Sequence, residues 1–506
     1  MQPLRQIGRI RQIIPQESMT QEPKSLRRKT TDGMVWNSLE RLFSKGVQFV
    51  FSVLIARLLL PEDYGIIAIA NFFISISDIF VDSGFSRALI RKKERDETDY
   101  NSVFYFNVGI AALLYLLLWF LAPVIAGYYA SPSLTAVIRV ITSVLIINAL
   151  GAIQALMMNV ALNFRPIAVS AVVSMLVSGL AAWLLAWRGW GVWALVAQTV
   201  IMAVVRTGML WMLVRWHPAL LFSWKKLKEL FSFGSKLLAS DLLERLYNGI
   251  FTLGIGKAFS TNTLGFYGKA DAFSSLPSNL VSGPVKTVTY PAMNGIQDDK
   301  ARLGESLCQM VGLLAFVIFP LMAGLAVVAR PLIVLLLTEK WLEMVPLMQI
   351  LCASYLFVTL TALFQNVLLI RGRSDTYFWI QLLSRALGLA FLFVAIRHSV
   401  LWVCTGISAV SALLLIAYAA AVVRELGCGI FPLLKSLFPS LVLTALMVPA
   451  ILAVMQPIAS PLLRLAAGIP AGIAVYIGLA ILTGTQPYKL MLSLARPYWK
   501  GLARKK

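Results

Sequence analysis

Residues 64–86, YGIIAIANFFISISDIFVDSGFS, and residues 264–286, LGFYGKADAFSSLPSNLVSGPVK, carry one polar rhythm inside apolar sequence. Asn71, Ser75, Asp78 and Asp82 in the first stretch are matched by Asp271, Ser275, Ser278 and Ser282 in the second. Spacings of four, three and four place each set on one face of an α-helix. Polar groups in hydrocarbon are costly and usually mark a pathway. A polar face that recurs at an offset of about two hundred residues therefore predicts two similar helix bundles around a shared interior.

The rest of the chain fits a bilayer. Of its 506 residues 59% are apolar and only 13% charged, and the mean hydropathy is +0.78, far outside the range of soluble domains. Apolar runs near the length that crosses a hydrocarbon core cover 103–126, 136–162, 167–187, 192–214, 307–329, 347–370, 379–396, 401–423, 441–455 and 462–482. The more polar stretches 33–60, 64–86, 235–256 and 264–290 bring the expectation to about fourteen transmembrane helices in an all-α polytopic membrane protein.

The net charge of +22 follows a topology rule and does not point to nucleic acid. Alternate loops are basic. One set holds Arg91, Lys92, Lys93 and Arg95, then Arg165, then Arg215 with Lys225, Lys226 and Lys228, then Lys300, Arg302, Arg371, Arg373, Arg424 and Lys435. The other set holds little beyond Arg188, Lys257, Arg330, Lys340 and Arg397. By the positive-inside rule the first set, and with it both basic termini, faces the cytoplasm. Residues 1–32 lack an apolar core and read as a disordered basic tail, not a cleaved leader. Cys308, Cys352, Cys404 and Cys428 stand singly and read as buried apolar side chains, and His217 and His398 lack the company a metal site needs.

Further matches support the duplication. Leu39-Glu40-Arg41-Leu42 recurs as Leu243-Glu244-Arg245-Leu246, Gly65, Ala70 and Phe73 match Gly265, Ala270 and Phe273, and Asn159-Val160 before Arg165 matches Asn366-Val367 before Arg371. Six helices per half is an even number, so the halves are expected to be parallel repeats, as in alternating-access carriers. The expected layout is a tail (1–32), an N-lobe (33–217), an amphipathic cytoplasmic linker (218–232), a C-lobe (233–430), two extra helices (431–485) and a basic tail (486–506).

The signature Ala56-Arg57-Leu58-Leu59-Leu60-Pro61-Glu62-Asp63-Tyr64-Gly65 is followed by Phe80-Val81-Asp82-Ser83-Gly84-Phe85, by Ala88-Leu89-Ile90-Arg91, and later by Glu339-Lys340-Trp341 before Val345-Pro346. With these motifs the chain resembles, from about Gly33 to about residue 430, the polysaccharide flippases of the multidrug, oligosaccharidyl-lipid and polysaccharide exporter superfamily. The branch it is most similar to is that of the O-antigen and colanic acid exporters. The resemblance implies fourteen helices in two lobes that move an undecaprenyl-pyrophosphate-linked oligosaccharide across the bacterial inner membrane. It also suggests a polysaccharide polymerase and a chain-length regulator as partners.

A pyrophosphate crossing hydrocarbon needs cations along its path. Arg41 and Lys45 lie one turn apart on the first span, Arg245 is the repeat counterpart of Arg41, and Lys269 stands on the next span. These four are the candidate phosphate-attracting residues, with Arg57 and Arg206 as secondary candidates. Alternatively, these cations pair with carboxylates inside each lobe or snorkel to the surface. Asp78, Asp82, Asp241, Glu244 and Asp271 are the candidates for such pairing, or for binding a coupling Na⁺ or proton. No cofactor or metal is expected. The sequence has no GxxxxGK[ST] loop for nucleotide phosphates.

Two other classes compete. A multidrug cation antiporter of the same superfamily should have an acidic cavity poor in lysine and arginine. A membrane polymerase or transferase should have a long outer loop with catalytic groups. Pro277, Pro284 and Pro291 interrupt the eighth expected span, and Pro320 the ninth, where a gate could bend. Replacing Pro277 and Pro284 with Ala is expected to slow transport in reconstituted vesicles; an unaltered rate would remove the gating role.

Overall fold

The computed structural model describes residues 45–493 apart from 83, 93 and 215 and apart from the side chains at 233, 236, 237 and 283–292. The described residues form helices joined by short turns. Residues 45–58 are helical (α1). Then come α2 (Pro61–Asp82), α3 (Phe85–Arg91), α4 (Glu97–Tyr128), α5 (Ser133–Ile141), α6 (Val144–Val160), α7 (Arg165–Trp187) and α8 (Val192–Leu213). The chain continues through α9 (Trp224–Ala258), α10 (Thr261–Asn294), α11 (Lys300–Leu337), α12 (Met344–Ile370), α13 (Ser374–Ala395), α14 (Val400–Leu426), α15 (Ile430–Met455) and α16 (Pro461–Thr483).

Each apolar run falls on a helix or a pair of consecutive helices. Eleven spans among the described residues are long and apolar enough to cross a membrane, counting α2 with α3 and α5 with α6 as single spans. The others in the expected fourteen are α1, α9 and α10. Charged and polar residues such as Lys225, Asp241, Glu244 and Arg245 lower the hydropathy of α9.

The motif after α1 works as a helix start. Pro61 takes the first helical position, where its missing N–H leaves no bond unmade. Glu62 and Asp63 occupy the first turn, where carboxylates complement the helix dipole. The Leu60 amide donates to Asp63 Oδ2 at 2.9 Å. Among the described residues, three other than glycine take positive φ at turns: Ala130 (51°), Leu162 (53°) and Thr338 (82°). Just past Thr338, Trp341 is fully buried and meets Phe266 edge-on, with ring centroids 5.9 Å apart.

The chain divides into two compact units, at Lys257/Ala258. In the first, α6 packs against α8 and α4, α7 against α8, and α2 against α4. In the second, α12 packs against α14 and α11, α13 against α14, and α10 against α11. The order of neighbours is the same in both units, which is consistent with the duplication in the sequence. Helices α15 and α16 lie outside that order. They pack on each other and on α11 through a core that includes Phe316, Leu443, Met447, Ile451 and Tyr476.

The expected linker differs in form. Residues 218–223 are irregular, whereas Trp224–Ala258 is one unbroken helix, so the expected boundary at 232/233 falls inside α9. No proline interrupts the chain between Pro218 and Pro277, so nothing ends the helix there. The unit boundary also falls at the end of α9, which groups this helix with the first unit.

Helix α9 runs antiparallel to α2, with close backbone approach at the turn that follows α2. Gly84 takes a left-handed φ of 73°, and a Cβ on it would lie 2.6 Å from the carbonyl oxygen of Gly234. The ring of Phe72 occupies the notch at Gly249. At the start of α4, Asp96 and Asp99 form a capping box: the Asp99 amide donates to Asp96 Oδ1 at 2.9 Å and the Asp96 amide to Asp99 Oδ2 at 3.1 Å. Lys92 Nζ donates to the buried Asp99 carboxylate at 2.6 and 2.7 Å, and Lys226 pairs with Asp96. Partial burial works against ionisation of Asp96, but Lys226 and the Asp99 amide outweigh it and hold the carboxyl below its usual range.

Two measurements test this packing. Gly84 and Gly372 have similar φ (73° and 70°), but only Gly84 meets another backbone, since nothing lies within 4 Å of a Cβ on Gly372. Gly84→Ala should therefore destabilise the protein by about 2 kcal/mol more than Gly372→Ala, read as apparent Tm in detergent; equal losses would refute the close approach. Asp96→Ala should remove about 1 kcal/mol at neutral pH. Because the Asp96 carboxyl is lowered in the folded state, its contribution is present above the ordinary carboxylate range and fades as pH falls through the lowered value. The gap between wild type and variant should accordingly narrow as the pH is lowered below the ordinary carboxylate range, read as the difference in apparent Tm.

Candidate functional site

The duplicated polar faces have different surroundings. In the first unit the face of α2 looks toward α9. Arg245 and Asp82 both lie within electrostatic reach of Asp78. Asp82 accepts a hydrogen bond from the Ser86 hydroxyl. One turn from Arg245, Asp241 accepts from Arg87 Nη2 on α3 at 2.7 Å. Asp78, Asp82, Asp241 and Arg245 thus form one charged seam, and Asp78 and Arg245 remain exposed on it. Ser75 donates to the Phe72 carbonyl at 2.8 Å, within its own helix.

In the second unit the face of α10 is turned into packing. Tyr355 on α12 donates its hydroxyl to Asp271 Oδ1 at 2.6 Å. Ser274 donates to the Met348 carbonyl at 3.1 Å, and the hydroxyls of Ser278 and Thr359 are 2.6 Å apart. Bonds of this kind join helices where water is absent. Lys269, on the same helix, is buried with 6% of its surface exposed.

The remaining candidates lie elsewhere. Arg41 is outside the described residues. Lys45 and Arg57 on α1, Arg206 on α8 and Glu244 on α9 are exposed. Arg245 belongs to the first unit and Lys269 to the second.

The structure adds a residue that the sequence reading passed over. Arg385 stands midway along α13 and is half-buried, within electrostatic reach of Tyr418 on α14. Tyr418 is fully buried, donates to the Tyr377 carbonyl at 3.2 Å and is hydrogen-bonded to the side chain of Gln365. The signal was present as a lone arginine inside the apolar run 379–396, and an ionisable residue in such a run is a functional candidate by default. Arg87 and Tyr355, the partners of Asp241 and Asp271, are distant in sequence and gave no such signal.

Chemically, these clusters offer cations, carboxylates and hydroxyls on membrane helices. Among the described residues no group of three or more His, Cys, Asp or Glu side chains could hold a metal ion. Arg371 and Arg373 share Glu425, at 3.2 and 2.6 Å, and Arg371 also donates to the Gln297 carbonyl at 2.8 Å, which ties the turns at that end of the second unit together.

Comparison with known proteins bears on this arrangement. The chain is similar to the succinoglycan biosynthesis transport protein ExoT of Rhizobium meliloti (strain 1021), 25% identical over 478 residues, with 92% of this chain and 95% of that protein covered. It is similar to the teichuronic acid biosynthesis protein TuaB of Bacillus subtilis (strain 168), 27% identical, with 78% and 83% covered. The lipopolysaccharide biosynthesis protein WzxC of Escherichia coli (strain K12) is 23% identical, with 70% and 72% covered. In fold it resembles the lipid II flippase MurJ in an inward closed conformation, with a TM-score of 0.70, 16% identity and coverage of 89% of this chain and 98% of that one. It also resembles an inward-facing multidrug transporter of the MATE family, with a TM-score of 0.58, 13% identity and coverage of 75% and 94%. A family model described as polysaccharide biosynthesis protein matches residues 54–346, more than half of the sequence, and the chain is a multi-pass membrane member of that family.

Proposed function

We propose that this protein is a flippase that moves a lipid-linked oligosaccharide, carried on undecaprenyl pyrophosphate, across the inner membrane during surface polysaccharide or lipopolysaccharide assembly. It acts as a transporter and not as an enzyme. The observation that carries this reading is the placement of cations on membrane helices beside carboxylates and hydroxyls, with Arg245 facing Asp78 and Lys269 buried on the helix that bears Asp271. The relationship to ExoT over nearly all of both chains, and the fold shared with MurJ, support it.

In this reading Arg41, Lys45, Arg245 and Lys269 attract the pyrophosphate, with Arg57, Arg206 and Arg385 as further cations. Charge-assisted bonds to phosphate offset part of the desolvation that a bare anion would suffer. The seam of Asp78, Asp82, Asp241 and Glu244 and the Asp271–Tyr355 pair are where a coupling proton or Na⁺ would act. Transport by alternating access in a chain built from two like repeats accounts for the duplication. The basic loops support cytoplasmic termini. A polymerase and a chain-length regulator are the expected neighbours in the pathway.

Reconstitution into vesicles with a labelled undecaprenyl-pyrophosphate oligosaccharide tests the function. The label should change sides without bond cleavage; cleavage would favour a transferase or polymerase, and export of cationic drugs without lipid movement would favour the antiporter. Arg245→Ala together with Lys269→Ala should slow transport by about tenfold or more, the equivalent of one charge-assisted bond. A wild-type rate in that double variant would remove these residues from the pathway while leaving the fold intact.

A further inference from the structure

The first turns of α9 present three distinct faces. Leu227, Leu230 and Gly234 are buried, and the two leucines join the core of Phe85, Leu89, Phe104 and Trp216. Lys226 lies on a second face and pairs with Asp96. Trp224, Lys228 and Phe231, spaced by four and three residues, form a third face that is exposed, with Lys225 beside it. Trp224 is 65% and Phe231 44% exposed.

The segment leading into α9 extends this strip. Leu220 is 94% exposed and Phe222 55%, and the rings of Phe222 and Trp224 lie 6.4 Å apart. These side chains are held outward by the backbone. The Ala219 amide donates to Asn101 Oδ1 at 2.7 Å, and the Ser223 amide to Ser102 Oγ at 2.9 Å. Asn101 and Ser102 are both buried at the start of α4. The strip therefore cannot bury its apolar groups by folding back without breaking bonds to buried acceptors.

Apolar and aromatic side chains interleaved with lysines on a fixed, exposed strip are the composition of a surface that lies in the headgroup region of a bilayer. Along residues 218–231 the exposed carboxylate is Glu229, against the exposed cations Lys225 and Lys228, while Lys226 is matched by Asp96. The residual charge is positive, so the favoured surface is an anionic one. We propose that the strip formed by Leu220, Phe222, Trp224, Lys225, Lys228 and Phe231 docks on anionic phospholipid in the leaflet on the side of the basic loops. The rings enter the headgroup layer and the two lysines meet lipid phosphates. Docking anchors the start of α9, the helix that carries Asp241 and Arg245, to the membrane. The proposal holds whatever the cargo is.

The test places an environment-sensitive fluorophore at Phe222→Cys in the full chain, with the half-buried Cys308 and Cys428 replaced by Ser and the buried Cys352 and Cys404 retained. In nanodiscs containing phosphatidylglycerol the emission should be brighter and blue-shifted relative to nanodiscs of phosphatidylcholine alone. That difference should shrink at high salt, which screens the lysines, and should be lost in Lys225→Gln with Lys228→Gln. Identical emission in the two lipids would overturn the proposal, as would a lipid-dependent shift that neither salt nor the double variant alters. Reversal of the shift by added undecaprenyl pyrophosphate would assign the strip to the cargo and overturn the phospholipid assignment. The salt dependence of the wild-type shift is read without the lysine variants, so it decides the question even if they are poorly folded.

Discussion

A hydrocarbon environment offers no hydrogen bonds, so every polar group placed there must find its partner within the protein. This constraint organises both units. It keeps the described backbone helical through long spans, and it ties many of the polar side chains on the spans to particular neighbours. Asp271 is matched by Tyr355, Ser278 by Thr359, Ser354 by Ser411 at 2.9 Å, and Thr207 by the Ile147 carbonyl at 3.0 Å. Where the neighbours are charged, as at Asp78 with Arg245, the arrangement also leaves a local field.

The same rule has been put to different uses in the duplicated helices. On α10 Asp271 and Ser278 of the polar face are engaged in joining α12. On α2 the corresponding face keeps Asn71 and Asp78 exposed and meets the charged flank of α9. One duplicated pattern thus yields a structural seam in one unit and a chemically open one in the other.

Much of this was legible in the sequence, because hydropathy and helical period are local properties. Every apolar run lies on a helix, and the polar rhythm of residues 71–82 and 271–282 does mark helix faces. Lys269 and Arg245 were marked by charge within a span. What stayed hidden depends on distant partners. Nothing near Asp241 in the chain announces Arg87, and nothing near Asp271 announces Tyr355. The continuity of α9 was obscured because its first turns are amphipathic and its later turns more apolar, so a change of environment read as a change of element. Arg385 was missed for the opposite reason: the run around it is so apolar that a single charge did not alter its average.

The turns at Ala130, Leu162 and Thr338 have a practical corollary. Each holds a side chain at a positive φ that glycine adopts freely, as Gly372 does after α12. Leu162 is also more than half exposed, so its removal would forfeit little buried surface. Nature has left slack at these corners. Anyone needing a hardier preparation for purification would begin by trimming that leucine to its bare backbone, and only then turn to the helices.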